Sequence, residues 1–213
     1  EIAFMRSSRL VISTVARQLI PYLADAVPGW FQPVLAIYDA RGNELAYNDD
    51  YRFKPDPTIF FEVPQDGEYA LTITDAIYRG REEFIYRVSI GELPFVTSIF
   101  PLGGRVGEQA MIKTKGWNLQ EAELKPPAGD ASPGIHMLAA NCKGFVSNRV
   151  PFALNTLPEG FDKEANNDPA HAQKIKLPVV INGRVDMPDD WDQLMIGGQH
   201  MATQSFQGGP KAG

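Results

Sequence analysis

The chain has little of what metal-dependent and nucleophilic enzymes need: it carries one cysteine and three histidines in 213 residues. One cysteine, Cys142, excludes an intrachain disulfide and a cysteine-based zinc cluster. His136, His171 and His200 match no H-E-x-x-H or other zinc spacing, and no G-x-S-x-G nucleophile elbow occurs. We therefore expect no enzyme activity, a small buried side chain at Cys142, and histidines that are exposed or satisfied by neighbours.

Positive charge is also sparse, since 20 Lys and Arg stand against 26 Asp and Glu, for a net charge of -6. Nucleic-acid binding needs clustered basic residues, and these are scattered, so we expect no nucleic-acid partner. No apolar run approaches the ~20 residues that span a bilayer, so we expect no membrane insertion. Five neighbouring charges predict solvated ion pairs on a hairpin, each worth ~0–1 kcal/mol: Asp75, Arg79, Arg81, Glu82 and Glu83.

Long helical patterns are scarce too, and short alternating runs take their place. Residues 69–74 and 84–90 alternate large apolar side chains with smaller or polar ones, the period of two of a half-buried strand. Glycine-containing turns separate these runs. Strands of ~5–7 residues at such spacing predict an all-β protein built as an antiparallel sandwich or barrel.

Composition divides the chain into three parts. Residues 1–92 hold the strongest strand pattern, and residues 93–157 form a smaller β unit with a long loop rich in Pro and Gly. Residues 158–213 begin as a polar linker. They then show one alternating apolar run, 175–181, with too few strands to close a sandwich. The chain starts without Met and inside a strand pattern, so we expect a piece of a longer protein.

An acidic loop, NDDYRFKPD, lies between two of the apolar strands at Asn48–Asp56. Calcium takes six to eight oxygen ligands from carboxylates, amides and carbonyls, so Asn48, Asp49, Asp50 and Asp56 are candidate calcium ligands. The alternative is structural, because Asn and Asp favour turns. A glycosidase pair is disfavoured, since adjacent strand residues such as Asp49 and Asp50 point to opposite faces.

A second acidic segment contains Asp186, Asp189, Asp190 and Asp192. Asp190 and Asp192 are weaker candidate metal ligands, and the alternative is a solvated turn. Aromatic side chains near the first loop are candidate ligand-binding residues, because rings beside polar groups stack on sugars or proline-rich polymers. These residues are Tyr47, Tyr51, Phe53 and Tyr78. Tyr51 and Phe53 lie on the loop itself and are expected to be exposed, whereas Trp30 is expected to anchor a loop in the core.

These elements together resemble the bacterial pre-peptidase C-terminal (PPC) domain. That family shows a strand, a turn with Gly, an acidic loop, a D-G-x-Y strand and a final Y-R strand. The resemblance covers residues 8–92. Its elements in this chain are Gly42, Asn48-Asp49-Asp50, Asp56, Asp66-Gly67-Glu68-Tyr69 and Tyr86-Arg87.

Residues 166–196 look like the opening of a second PPC copy. The family's G-D-x-D-x-[FY] signature stands there as residues 189–194, DDWDQL, with Asp in place of Gly and Leu in place of the aromatic. Residues 94–157 resemble an IPT/TIG immunoglobulin-like domain, through P-x-V-x-S-I-x-P and a closing S-N-x-V-P-F.

The resemblance implies a jelly-roll-like β-sandwich followed by a smaller immunoglobulin-like sandwich. It implies export, so that the protein is secreted, periplasmic or at the cell surface. The implied role is a non-catalytic module beside other domains of a parent protein, which binds an extracellular polymer (polysaccharide or protein) or targets an attached enzyme. Some relatives bind calcium. A structural spacer without a ligand is the main alternative, and a hydrolase is the least favoured one.

Overall fold

The computed structural model describes residues 2–19, 31–188 and 190–196. These residues form nineteen strands and one 3-10 helix, Arg17–Leu19, which confirms the predicted all-β fold. None of their helical segments has the length and apolar character that a membrane crossing requires. The predictions for Trp30, Asp189 and His200 fall outside the described residues.

Two compact units divide the chain. The first takes its described residues from Glu1–Ile99, Thr114–Lys125 and Leu138–Val150, and the second from Phe100–Lys113, Pro126–Met137 and Pro151–Gly213. Residues 93–157 thus contribute to both units. The division at 92 and 157 stays a prediction from composition.

The first unit opens with two antiparallel sheets, ordered β1-β6-β3-β4 and β5-β2-β7. β3 pairs with β6 over seven residues, from Pro33↔Asp75 to Asp39↔Tyr69. The strands are β1 Ile2–Phe4, β2 Arg9–Val15, β3 Pro33–Asp39, β4 Glu44–Asn48, β5 Thr58–Glu62, β6 Gly67–Asp75 and β7 Arg87–Gly91.

The core of the first unit forms where these two sheets face each other. Both sheets contribute side chains that alternate along the strands, as a sandwich requires. In β6 the alternation is as predicted, with Leu71 and Ile73 packed inward and Thr72 and Thr74 exposed. The buried cluster is Leu10, Ile12, Leu35, Ile37, Ile59, Phe61, Val63 and Tyr69.

Shorter strands make up the rest of the described chain. They are β8 Phe95–Phe100, β9 Gly103–Arg105, β10 Lys113–Trp117, β11 Glu123–Leu124, β12 Gly134–Leu138, β13 Ala140–Cys142, β14 Phe145–Val146, β15 Val150–Asn155, β16 Glu159–Phe161, β17 Gln173–Ile175, β18 Val180–Asn182 and β19 Leu194–Ile196. β8 pairs with β10, and β11, β13 and β14 form a small sheet. β15 lies between β12 and β9.

Two parallel strand pairs close the second unit, β16 with β18 and β17 with β19. The run at 175–181 alternates in sequence, yet it is two strands, β17 and β18, with Leu177 exposed between them. Pro178 has no N–H to donate to a ladder, which accounts for the interruption. The other predicted run, 84–90, is shortened similarly, since β7 begins only at Arg87.

Candidate functional site

Three carboxylates converge in the second unit. Oxygen atoms of Asp162, Glu164 and Asp192 all lie within 4.8 Å of one another. Like charges this close repel unless a proton or a cation lies between them. We refer to these three residues as the acidic cluster.

The parallel strand pairs bring these side chains together. β16 ends at Phe161, which is in register with Asn182 of β18, and the amide of Asp162 donates to the Asn182 carbonyl at 2.9 Å. Gly183 follows, and a Cβ there would lie 3.1 Å from Asp162 Cβ and 3.2 Å from Asp192 Oδ2. The absence of a side chain at Gly183 therefore leaves room for both carboxylates.

Asn166 lies against the acidic cluster and is completely buried. Its Nδ2 donates to Asp162 Oδ1 at 2.6 Å, while its Oδ1 has no hydrogen-bond partner among the described residues. A buried acceptor without a partner costs about 1–3 kcal/mol. Because Oδ1 belongs to the same carboxamide that contacts Asp162, a cation bound by the acidic cluster would give Asn166 Oδ1 a coordination partner.

Crowding changes the proton affinity of the cluster. The pKa of Asp192 is raised by desolvation first, then by the charge and hydrogen bond of Asp162 and the charges of Asp190 and Asp186. The pKa of Glu164 is raised by desolvation, then by the charges and hydrogen bonding of neighbouring acids, Asp190 and Asp162. Both shifts favour the protonated form of the cluster, and a divalent cation would instead favour its ionised form.

The sequence identified part of this site. Asp192 was a predicted metal ligand and is a member of the acidic cluster. Asp190 was predicted as well; its charge reaches the cluster, and its Oδ2 accepts from the Asp186 amide at 2.7 Å. Asp162, Glu164 and Asn166 were missed because their polar, turn-rich segment was assigned to a linker. The signal present was the density of acids and amides in FDKEANND, just before β17.

The first acidic loop is occupied by backbone contacts. Asn48 Oδ1 accepts from the Asp50 amide at 2.8 Å, and its Nδ2 donates to the Thr58 carbonyl at 3.1 Å. Asp56 accepts from the amides of Arg17 and Gln18, each at 2.8 Å. These contacts support the structural alternative for Asn48 and Asp56. Calcium binding by Asn48, Asp49, Asp50 and Asp56 stays a prediction.

A tyrosine face covers the outer side of sheet β1-β6-β3-β4. Tyr38 and Ala36 share this side, and Tyr47 is the register partner of Ala36. Tyr47 is 55% exposed and Tyr78, just after β6, is 91% exposed. Burial, Asp49 and Tyr78 raise the pKa of Tyr47, and Tyr78 also contributes to the raised pKa of Tyr38, after Glu44 and burial. We call Tyr38, Tyr47 and Tyr78 the tyrosine face.

The other two predicted ligand-binding aromatics behave differently. Phe53 is fully exposed, as expected. Tyr51 is half-buried, so its expected exposure is wrong. Its ring packs edge-on against Phe60 and Phe95, with centroids 6.0 and 5.4 Å away. These contacts make Tyr51 part of a packed aromatic group.

Cys142 and the described histidines have ordinary structural roles. Cys142 is buried, and its Sγ lies 3.1 Å from the Gln120 carbonyl. His136 contacts the Ser132 carbonyl at 2.8 Å, and His171 Nδ1 contacts Asp168 Oδ2 at 2.7 Å. The predictions for these three residues are confirmed.

No family model, curated protein or solved structure matches this chain. The likeness to PPC and IPT/TIG domains rests on the motifs in the sequence itself.

Proposed function

We propose that this chain is a non-catalytic β-sandwich module of an exported bacterial protein, of PPC type, in which calcium organises the second unit. The observation that carries the calcium proposal is the acidic cluster beside the buried, unpartnered Oδ1 of Asn166. Three carboxylates, two of them on exposed residues, and a buried amide oxygen form an all-oxygen donor set that suits a cation.

The donor set favours calcium over other common ions. Zinc selects Cys and His ligands, and this site offers oxygen alone. Magnesium demands near-octahedral geometry and keeps several waters. Calcium accepts six to eight oxygens in flexible arrangements, which suits carboxylates carried on irregular segments next to β16 and β19.

A bound calcium ion would link distant parts of the second unit. Asp162 and Glu164 follow β16, whereas Asp192 precedes β19. The short pairs β16–β18 and β17–β19 have three residues per strand, so their ladders contribute few hydrogen bonds. The ion would remove the repulsion between the carboxylates and stabilise both pairs.

Thermal unfolding in calcium, in magnesium and in a chelator tests this proposal. At a calcium concentration 100 times the dissociation constant, the ion adds about 2.7 kcal/mol to the free energy of unfolding. We expect calcium to raise the unfolding midpoint and magnesium to raise it less. An identical midpoint in calcium and in chelator would refute the calcium proposal while leaving the module proposal in place.

A second candidate function is binding of an extracellular polymer at the tyrosine face. Its support is the exposure of Tyr47 on β4 and of Tyr78 just after β6, together with exposed Thr72 and Thr74 on β6. Flat rings flanked by hydroxyl groups stack on sugar rings and on proline-rich chains. A spacer without a ligand has no need for such a face.

Pull-down on insoluble polysaccharides and on collagen separates binder from spacer. We expect retention of the wild-type chain on one of these polymers and its loss in the double variant Tyr47→Ala, Tyr78→Ala. Ile135→Ala, which changes a residue 73% exposed in the second unit, is the control and should bind as wild type. Absence of retention on every polymer would favour the spacer.

A further inference from the structure

A polar groove of about 390 Å³ lies within the first unit. It is bounded by the turn after β1, the end of β7 and the connections that follow β10 and β13; Ser7, Arg9, Asn118, Gln120, Lys143 and Phe145 are among its lining residues. Its size falls in the ~300–1,000 Å³ range of small-molecule pockets.

Arg9 is held in place at this groove by aromatic rings. Its guanidinium carbon lies 4.4 Å from the centroid of Trp117. Trp117 in turn stacks on Phe60, with centroids 5.4 Å apart, and Phe60 packs edge-on against Phe95 at 5.1 Å. The backbone of Arg9 is fixed as well, because its amide donates to Glu92 at 3.0 Å and its carbonyl accepts from Asn118 at 2.7 Å. A guanidinium with so little freedom loses little entropy when it binds a ligand.

The Nε of Arg9 is buried and has no hydrogen-bond partner among the described residues. A guanidinium edge binds a carboxylate through two parallel hydrogen bonds. The cation–π contact with Trp117 uses the face of the guanidinium and not its edge. Nε therefore has no acceptor among the described residues, and Arg9 lines the adjoining groove.

The other groove residues indicate the chemical class of the ligand that would carry this acceptor. Lys143 adds a second positive charge, which lies 3.7 Å from Glu121 at the exposed surface. Glu92 also lines the groove, and its carboxylate accepts from the Arg9 amide. Ser7 and Gln120 offer hydroxyl and amide groups, and Phe145 offers a ring that is 55% exposed. Rings, hydroxyls and amides beside a cation suit a ligand with hydroxyl groups and one carboxylate.

We infer that this groove binds a sugar acid, whose carboxylate pairs with the edge of Arg9 and whose ring lies against Phe145. The site is distinct in its residues from the acidic cluster and from the tyrosine face. It does not depend on calcium.

Titration with D-glucuronate, with D-glucose as the uncharged counterpart, tests the inference on the full chain. Tryptophan fluorescence reports binding because Trp117 contacts Arg9. We expect glucuronate to bind at least about tenfold more tightly than glucose, equivalent to 1.4 kcal/mol. Arg9→Gln should lose about tenfold or more, and Arg9→Lys, which keeps the charge without the two-point edge, should lose part of the affinity.

Two matched variants keep the test independent of folding. Lys143→Gln changes an exposed residue and should weaken glucuronate binding several-fold without altering the unfolding midpoint. Arg41→Gln, on the exposed turn after β3, should bind as wild type. Equal affinity for glucuronate and glucose, wild-type affinity in Arg9→Gln, or no glucuronate binding would each overturn the inference. Displacement by acetate at equal concentration would overturn the sugar part of it.

Discussion

Asp75 and Arg79 form a two-point ion pair at the end of β6, with Nε–Oδ2 and Nη2–Oδ1 distances of 2.9 and 3.1 Å. The Asp75 side chain is fully buried, and that of Arg79 is 21% exposed. Asp75 also accepts from the amides of Gln32 and Ile77. The sequence predicted solvated ion pairs on a hairpin here. For this pair the prediction is wrong, because Asp75 is buried beneath the turn that it holds, and β6 and β7 belong to different sheets.

Acid should destabilise the first unit through Asp75. Arg79, together with the backbone amides of Gln32, Arg79 and Ile77, lowers the pKa of Asp75 to about 2, from an ordinary value of 3.8. Stability from a lowered carboxyl pKa is present above the ordinary pKa and is lost as the pH falls through the folded one. We expect a loss of about 1–2 kcal/mol between pH 4 and pH 2, after allowance for solvent screening. Urea unfolding followed by fluorescence measures it.

Asp75→Asn should remove this acid dependence. The variant keeps an acceptor oxygen but loses the charge, so we expect it to be less stable at pH 7 by about 1–3 kcal/mol. Its stability should then change less than wild type between pH 4 and pH 2. Glu82→Gln changes an exposed charge in the same connection between β6 and β7 and serves as control. A wild-type acid profile in Asp75→Asn would contradict the assignment.

Asp192→Asn should act in opposite directions with and without calcium. In a chelator the variant removes one of three crowded charges, so its unfolding midpoint should equal or exceed that of wild type. In calcium the variant lacks a ligand, so its dissociation constant should rise at least about tenfold. Asp50→Asn, in the first acidic loop, should follow wild type under both conditions. If Asp50→Asn abolished the calcium effect instead, the site would lie in that loop.

Calcium binding should weaken in mild acid. The raised pKa values of Asp192 and Glu164 mean that protons compete with the metal at a higher pH than at an ordinary carboxylate. Without calcium, acid has the opposite effect on stability. A carboxyl group whose pKa is higher in the folded state than in the unfolded state stabilises the fold as the pH falls through the folded-state pKa towards the unfolded-state pKa. The difference between the unfolding midpoint in calcium and the midpoint in chelator should therefore shrink as the pH is lowered from 7 to about 4. Parallel curves would contradict the prediction.

Gly116→Ala should destabilise the first unit. A Cβ at this position in β10 would lie 1.9 Å from the Phe95 carbonyl oxygen and 2.9 Å from Leu119 Cδ1. Backbone contact leaves no flexible atom to move, so we expect a cost of about 2–3 kcal/mol. Gly80→Ala, where a Cβ meets nothing within 4 Å, should change stability by less than about 0.5 kcal/mol. Chemical unfolding of both variants measures the difference.

The sandwich was predictable because its signal is local. Alternation of apolar and polar side chains is enforced by strand geometry, and Leu71 and Ile73 show it directly. The neighbours of each ring were not predictable. Tyr51 and Phe53 lie two residues apart on one turn, yet Tyr51 packs on Phe60 and Phe95, which come from other strands, while Phe53 is exposed.

Of the three residues of the acidic cluster, Asp192 was predicted from the sequence, whereas Asp162 and Glu164 were missed for a similar reason. Asp192 was predicted as a ligand because acids are dense around it in the sequence. Asp162 lies thirty positions earlier, in a segment with the composition of a linker, and was not predicted. The two parallel pairs, β16 with β18 and β17 with β19, bring them together. Parallel pairs between short strands leave little local signal, since the partner can be any apolar segment some distance away along the chain.

Cys142 provides a chemical reporter of opening in the first unit. It is the only thiol in the chain, and it is buried with its Sγ against the Gln120 carbonyl. A maleimide dye therefore reaches the thiol through the groove that Cys142 lines or when the segment around β13 transiently detaches. The labelling rate then measures how often the Cys142 thiol becomes accessible to the dye, and no engineered cysteine is needed. Because Cys142 also lines the groove beside Arg9, an occupied groove should slow the modification.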